Sequence, residues 1–119
     1  AASLETEEEV DSFRVEVADR FGRPPQEVQH LLEVIKLKIL CRQAGVEKID
    51  VGPKAIVAQF HPSANFDPAK LMQYVQKNAA TIKIRPDNKL VFTKPETEDF
   101  TQNSRLVENV LAEIIALSQ

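Results

Sequence analysis

The chain has no tryptophan, one tyrosine, one cysteine and three glycines. Each shortage closes off a class of protein. A single thiol, Cys41, excludes an internal disulfide and fits a reducing cytosol. None of the three glycines falls in the G-x-x-x-x-G-K-[ST] arrangement that cradles phosphates, so ATP hydrolysis is not expected. His30 and His61 have no second His or Cys at ligand spacing, which leaves a metal site without support. No apolar run reaches the ~18 residues of a membrane span. The N-terminus is acidic where a secretory signal would be basic. With 15 basic against 18 acidic residues and a formal charge of −3, the chain also lacks the basic excess of a dedicated nucleic-acid binder.

What is present reads as one α+β domain over residues 1–119, with elements in the order α-α-β-β-α-β-β-α. Thr6 followed by Glu9 makes a capping box that starts the first helix. The second helix begins at Pro25 or Gln26 and runs to Ala44, with Gly45 as its stop. Val28, Leu31, Leu32, Ile35 and Ile39 form its main face, and Val34, Leu37 and Leu40 widen the apolar arc, which predicts cover on several sides. Cys41 sits among Leu37, Leu40 and Ala44 and reads as a structural thiol.

Val46–Val51 and Ala55–Phe60 alternate as strands around Gly52-Pro53-Lys54, a hairpin with an irregular turn. Asp67-Pro68 is an N-cap followed by proline at a first helical position, opening a short helix with Leu71, Met72 and Val75 on its apolar side. A second hairpin runs Thr81–Arg85, turns at Pro86-Asp87-Asn88, and returns over Lys89–Thr93. The last helix, Glu98–Leu117, shows Leu106, Val110, Leu111, Ile114 and Leu117 on one broad face. Two hairpins cannot bury themselves, so a small antiparallel sheet packed against helices is expected.

The stretch from Glu16 to Pro25 is the most telling. Val10, Phe13, Val17 and Phe21 recur at helical spacing and predict a buried stripe. Gly22 supplies the backbone freedom that closes the helix, and Pro24-Pro25 precede the next one. Glu16 and Asp19, three residues apart, fall on the other side, with their carboxylates near each other and facing away from the core. Val15 beside them is apolar at an exposed position. An outward-facing helical surface has no pocket to raise a carboxyl pKa, so general acid–base chemistry is not indicated. A solubilising face, with Glu16 paired to Arg20, is the plain alternative and contributes only about 0.3–0.5 kcal/mol.

That stretch, with Gly45–Lys54 and Ile84–Leu90, resembles the C-terminal domain of the bacterial transcription-repair coupling factors (the TRCF or Mfd family) in three blocks in the same order, over roughly residues 5–95. The family pattern places a tryptophan in the last helix, where this chain has none. The resemblance implies that the chain is a regulatory module cut from a larger ATP-dependent DNA translocase, whose ATP and Mg sites lie in motor domains outside this stretch. It also implies that the domain docks on a module of the same protein similar to the excision-repair protein UvrB, in competition with the damage-recognition ATPase UvrA, while the parent contacts RNA polymerase and DNA. Glu16 and Asp19 carry over as the docking contacts, with arginines as expected partners, and Val15 as the dry centre.

A competing reading comes from the second hairpin. Lys83, Arg85, Lys89 and Lys94 cluster there, with Lys77 just upstream, and strand alternation puts Lys83, Arg85 and, across the turn, Lys89 on one solvent side. This would make an accessory DNA-contacting surface. No aromatics interleave to stack bases, and lysines on an edge hairpin also serve to block edge-to-edge pairing.

Overall fold

A computed structural model of the chain describes residues 5–64 and 66–117. Four helices and four strands follow in the expected order: α1 (Glu7–Phe21), α2 (Gln26–Ala44), β1 (Val46–Val51), β2 (Ala55–Phe60), α3 (Pro68–Lys77), β3 (Ile82–Arg85), β4 (Lys89–Thr93) and α4 (Phe100–Leu117). Contacts group them into two compact units, the first ending at Leu40 and the second beginning at Cys41.

The first unit is a helical hairpin. Thr6 caps α1 by accepting a hydrogen bond from the Glu9 N–H at 3.1 Å, and the Glu9 carboxylate reaches back to the N–H of Glu5 rather than that of Thr6. Gly22 ends α1 at φ +78°, a backbone setting that side chains disfavour, and its N–H closes on the Ala18 carbonyl. Pro25 then offers its carbonyl to the N–H groups of Val28 and Gln29, starting α2. Buried Val10, Leu32 and Ile39 form the core, with Phe13, Val28 and Ile35 packed against them. Arg14–Glu33 and Glu7–Lys36 pair across the two helices at 3.9 Å each, which sets them antiparallel.

Two expectations fail in this unit. Phe21 is 82% exposed rather than buried. Phe21 stands at the end of α1, about two turns beyond Phe13, which packs on the Val10–Leu32–Ile39 core. Leu31 and Val34 are also exposed. α1 covers the side of α2 that carries Val28, Leu32, Ile35 and Ile39; of the widened arc Val34 stays open, whereas Leu37 is half-buried and Leu40 buried.

The second unit is built on an antiparallel sheet of order β1-β2-β4-β3, so the two hairpins join through β2 and β4. Asp87 and Asn88 take φ of +68° and +59° to turn β3 into β4, a conformation that short Asx side chains tolerate. Ile56, Ala58 and Phe60 of β2 share the buried face with Leu90 and Phe92 of β4 and Ile82 of β3, through the pairs Ile56↔Phe92, Ala58↔Leu90 and Ile82↔Phe92.

Asp67 caps α3 through the Ala69 N–H, with Pro68 in the first turn, and α3 lies along β3. The Tyr74 hydroxyl donates to the Glu113 carboxylate and ties α3 to α4. On α4 the fully buried line is Ser104, Val107, Leu111 and Ile114, while Leu106, Val110 and Leu117 are half-buried. The apolar arc was read correctly but centred one residue off, because Ser104 and Val107 were left out of it.

Lys94 overturns its expected place in the basic cluster. It is 7% exposed, and its ammonium donates to the carbonyls of Pro53 (2.9 Å), Thr97 (3.1 Å) and Pro95 (3.2 Å). Three donors meet three acceptors, which is how a buried ammonium is tolerated. The side chain thus staples the β1–β2 turn to the segment leading into α4. Lys94→Met keeps the stem but orphans the carbonyls and should lower stability by about 1–3 kcal/mol in urea unfolding. An unchanged midpoint would show the staple to be dispensable.

Candidate docking site

The face of α1 opposite its core stripe is set by geometry alone. At about 100° per residue, Val15, Asp19, Ser12 and Glu16 fall within one arc of about 100°, with Glu8 inside it and Asp11 at its edge. All six are exposed, and Val15 is 60% so. The structure therefore places the three residues singled out in the sequence on one face: an exposed valine at its edge beside two acids, on a helix pinned from behind by Val10.

The two acids differ in their local ties. Glu16 pairs with Arg20 at 3.1 Å, both side chains more than half exposed. An exposed i,i+4 pair contributes about 0.3–0.5 kcal/mol and is readily exchanged for a stronger partner. Asp19 makes no hydrogen bond or ion pair among the described residues. Both carboxylates thus keep acceptor capacity for an incoming donor, and forked guanidinium groups suit such acceptors best. Around them the field is negative: residues 1–40 hold nine acids against five bases, whereas residues 41–119 hold nine against ten.

The second hairpin is placed by its register. Arg85 lies opposite Lys89 and Lys83 opposite Val91, so Lys83, Arg85 and Lys89 do share one face, the face turned away from the buried side chains. The pairing extends the row across the whole sheet, since Lys89 is opposite Gln59 and Gln59 opposite Lys48. Lys48 and Gln59 were missed in the sequence. Alternation within each strand is readable there, but which residues meet across non-consecutive strands is not.

Other candidate chemistry finds no support. The His61 imidazole accepts from the Ser63 N–H at 3.1 Å and bonds its hydroxyl, a local turn arrangement. Among the described residues no three His, Cys, Asp or Glu side chains gather as a metal cluster, and no helix is long and apolar enough to cross a membrane. Cys41 is half-buried, and desolvation raises its thiol pKa, the opposite of what an activated nucleophile requires.

This α+β arrangement is that of a solved domain: the crystal structure of the C-terminal domain of a transcription-repair coupling factor superposes with a TM-score of 0.65 over 98% of this chain and 77% of that one, at 21% identity. In sequence, the TRCF domain model matches residues 1–71. The transcription-repair-coupling factor of Rickettsia bellii is 39% identical over 92 residues, covering 77% of this chain and 8% of its own length, and that of Escherichia coli is 29% identical over 101 residues, covering 85% and 9%. The chain belongs to the transcription-repair coupling factor family, whose name joins transcription to DNA repair, and it spans less than a tenth of those relatives' length.

Two measurements check this description. Glu16→Ala/Asp19→Ala removes only solvent-facing groups, so urea unfolding should shift by no more than about 0.5 kcal/mol. A larger loss would mean the acids support the fold. The Cys41 thiol, with its raised pKa, should react with a disulfide reagent at pH 8 more slowly than a free small-molecule thiol. Equal rates would contradict its burial.

Proposed function

We propose that the chain is an autoinhibitory docking module: in its full-length protein, α1 seats Glu16, Asp19 and Val15 against arginines of a UvrB-like module and masks the surface that recruits UvrA. The observation that carries this reading is an exposed valine beside two solvent-facing acids, on a helix whose opposite side is fixed by Val10. An apolar centre ringed by charge is the pattern of a small contact that excludes water from its polar bonds. The parent would be an ATP-driven DNA translocase of the bacterial cytoplasm that acts on stalled RNA polymerase, and this module would add no chemistry of its own.

Magnitudes suit a reversible clamp. Truncating one partner of a desolvated, hydrogen-bonded charge pair costs about 2–5 kcal/mol, against about 0–1 kcal/mol for a rim pair. Moving a closed state from 99:1 to 1:99 takes about 5.5 kcal/mol. Two such contacts hold the closed form, and engagement of polymerase and DNA elsewhere in the protein suffices to release it. Tethering in one chain supplies the effective concentration that so small a face lacks on its own.

In the full-length protein, Glu16→Ala/Asp19→Ala should expose the masked surface and raise UvrA capture in a pull-down by tenfold or more, about 1.4 kcal/mol. UvrA capture equal to that of the unaltered protein would remove the proposal.

A further inference from the structure

The outer face of the sheet carries a surface independent of α1. Across β1, β2, β4 and β3 the paired residues Lys48, Gln59, Lys89 and Arg85 form one straight row, and Lys83 stands one step along β3 on the same face. Lys48, Lys83 and Arg85 are exposed, Gln59 and Lys89 half-buried, and none of the five makes a side-chain hydrogen bond or ion pair among the described residues. Every member of the row can donate. With strands about 4.8 Å apart, the row is about 14 Å long. In the neighbouring row Val57 and Val91 lie beside Lys83, and Asp50 closes the far corner.

We propose that this face is a sequence-independent contact surface for the phosphate backbone of nucleic acid. A strand carries one phosphate per ~3.4 Å of axis, so a row of this length reaches three or four of them. The chemistry is mostly one-sided: donors and cations in line, Asp50 at one corner and Glu47 in the bulge beside Lys48 as the acids of β1, no ring to stack a base. Small valines at the centre let a backbone lie close without reading its bases. An extended peptide is the weaker fit, because sheets take peptides by strand addition at an edge, whereas these donors are side chains across the strands. The overall negative charge of the chain does not oppose this, since its acidic excess lies in residues 1–40.

The test is fluorescence anisotropy of the 119-residue chain with labelled oligothymidylate and labelled duplex, each of about 15 nucleotides or base pairs, across a salt series. Binding at low salt should show a log–log salt slope of about −2 to −3 on the single strand. Lys48→Gln, Arg85→Gln and Lys89→Gln should each make that slope shallower by about 0.7. Lys48→Glu/Arg85→Glu/Lys89→Glu should weaken binding more than about tenfold, while Glu16→Ala/Asp19→Ala should not weaken it. The Gln variants decide the matter should the triple Glu variant fail to fold. No binding at low salt would overturn the proposal. So would Gln variants that bind with an unchanged slope, or polyglutamate competing as well as DNA, which would assign the face to an acidic protein segment.

Discussion

Val10 is wholly buried against Leu32 and Ile39, and that contact decides where every other side chain of α1 points. A helix has only one rotational freedom once its axis is laid down. Pinning position 10 inward sends Phe13 toward the same core and turns Val15, Glu16 and Asp19 outward by periodicity. The two cross-helix ion pairs, Arg14–Glu33 and Glu7–Lys36, are long at 3.9 Å, so they select antiparallel register more than they stabilise it. The outward face is therefore a consequence of packing on the other side of the rod, and it keeps its geometry whether or not a partner is present.

How much of this was legible in the chain follows from the range of each signal. Stops and starts are local, so Thr6, Gly22, Asp67-Pro68 and Pro86-Asp87-Asn88 placed nearly every boundary. The outward acids were legible for the same reason, since three residues on a helix fix their own relative direction. Phe21 was misread because its burial depends on how far α2 reaches along α1, a quantity no periodicity contains. Lys94 was misread because its partners, Pro53, Pro95 and Thr97, are backbone carbonyls brought near only when the sheet closes. Lys48 entered the sheet row through a β-bulge and two further pairings, which strand alternation alone cannot supply.

The polar ties in the second unit divide into two kinds. Lys94 and the Tyr74–Glu113 hydrogen bond join segments far apart in the chain, from Pro53 to Thr97 and from α3 to α4. Burial and the neighbouring carboxylate raise the Tyr74 pKa, so the hydroxyl stays protonated and the bond persists throughout the neutral range. The cations of the outer sheet face have no such partners, and their chemistry is left to solvent or to a ligand. The same residue type thus serves as an internal staple at position 94 and as a free donor at position 89, and burial of the ammonium separates the two roles.

Segregating charge between the two units has a further effect on partner choice. A surface presenting arginines to Glu16 and Asp19 would meet like charge on the sheet face, and a polyanion suited to Lys48, Lys89 and Arg85 would be repelled by the acids of α1. Discrimination is a difference of affinities, and like-charge juxtaposition enlarges that difference as effectively as a favourable contact does. Because neither face is deep or strongly apolar, a contact made through either would be weak. A module with two small, oppositely charged faces can hold one partner and reject the other without any change in its own conformation.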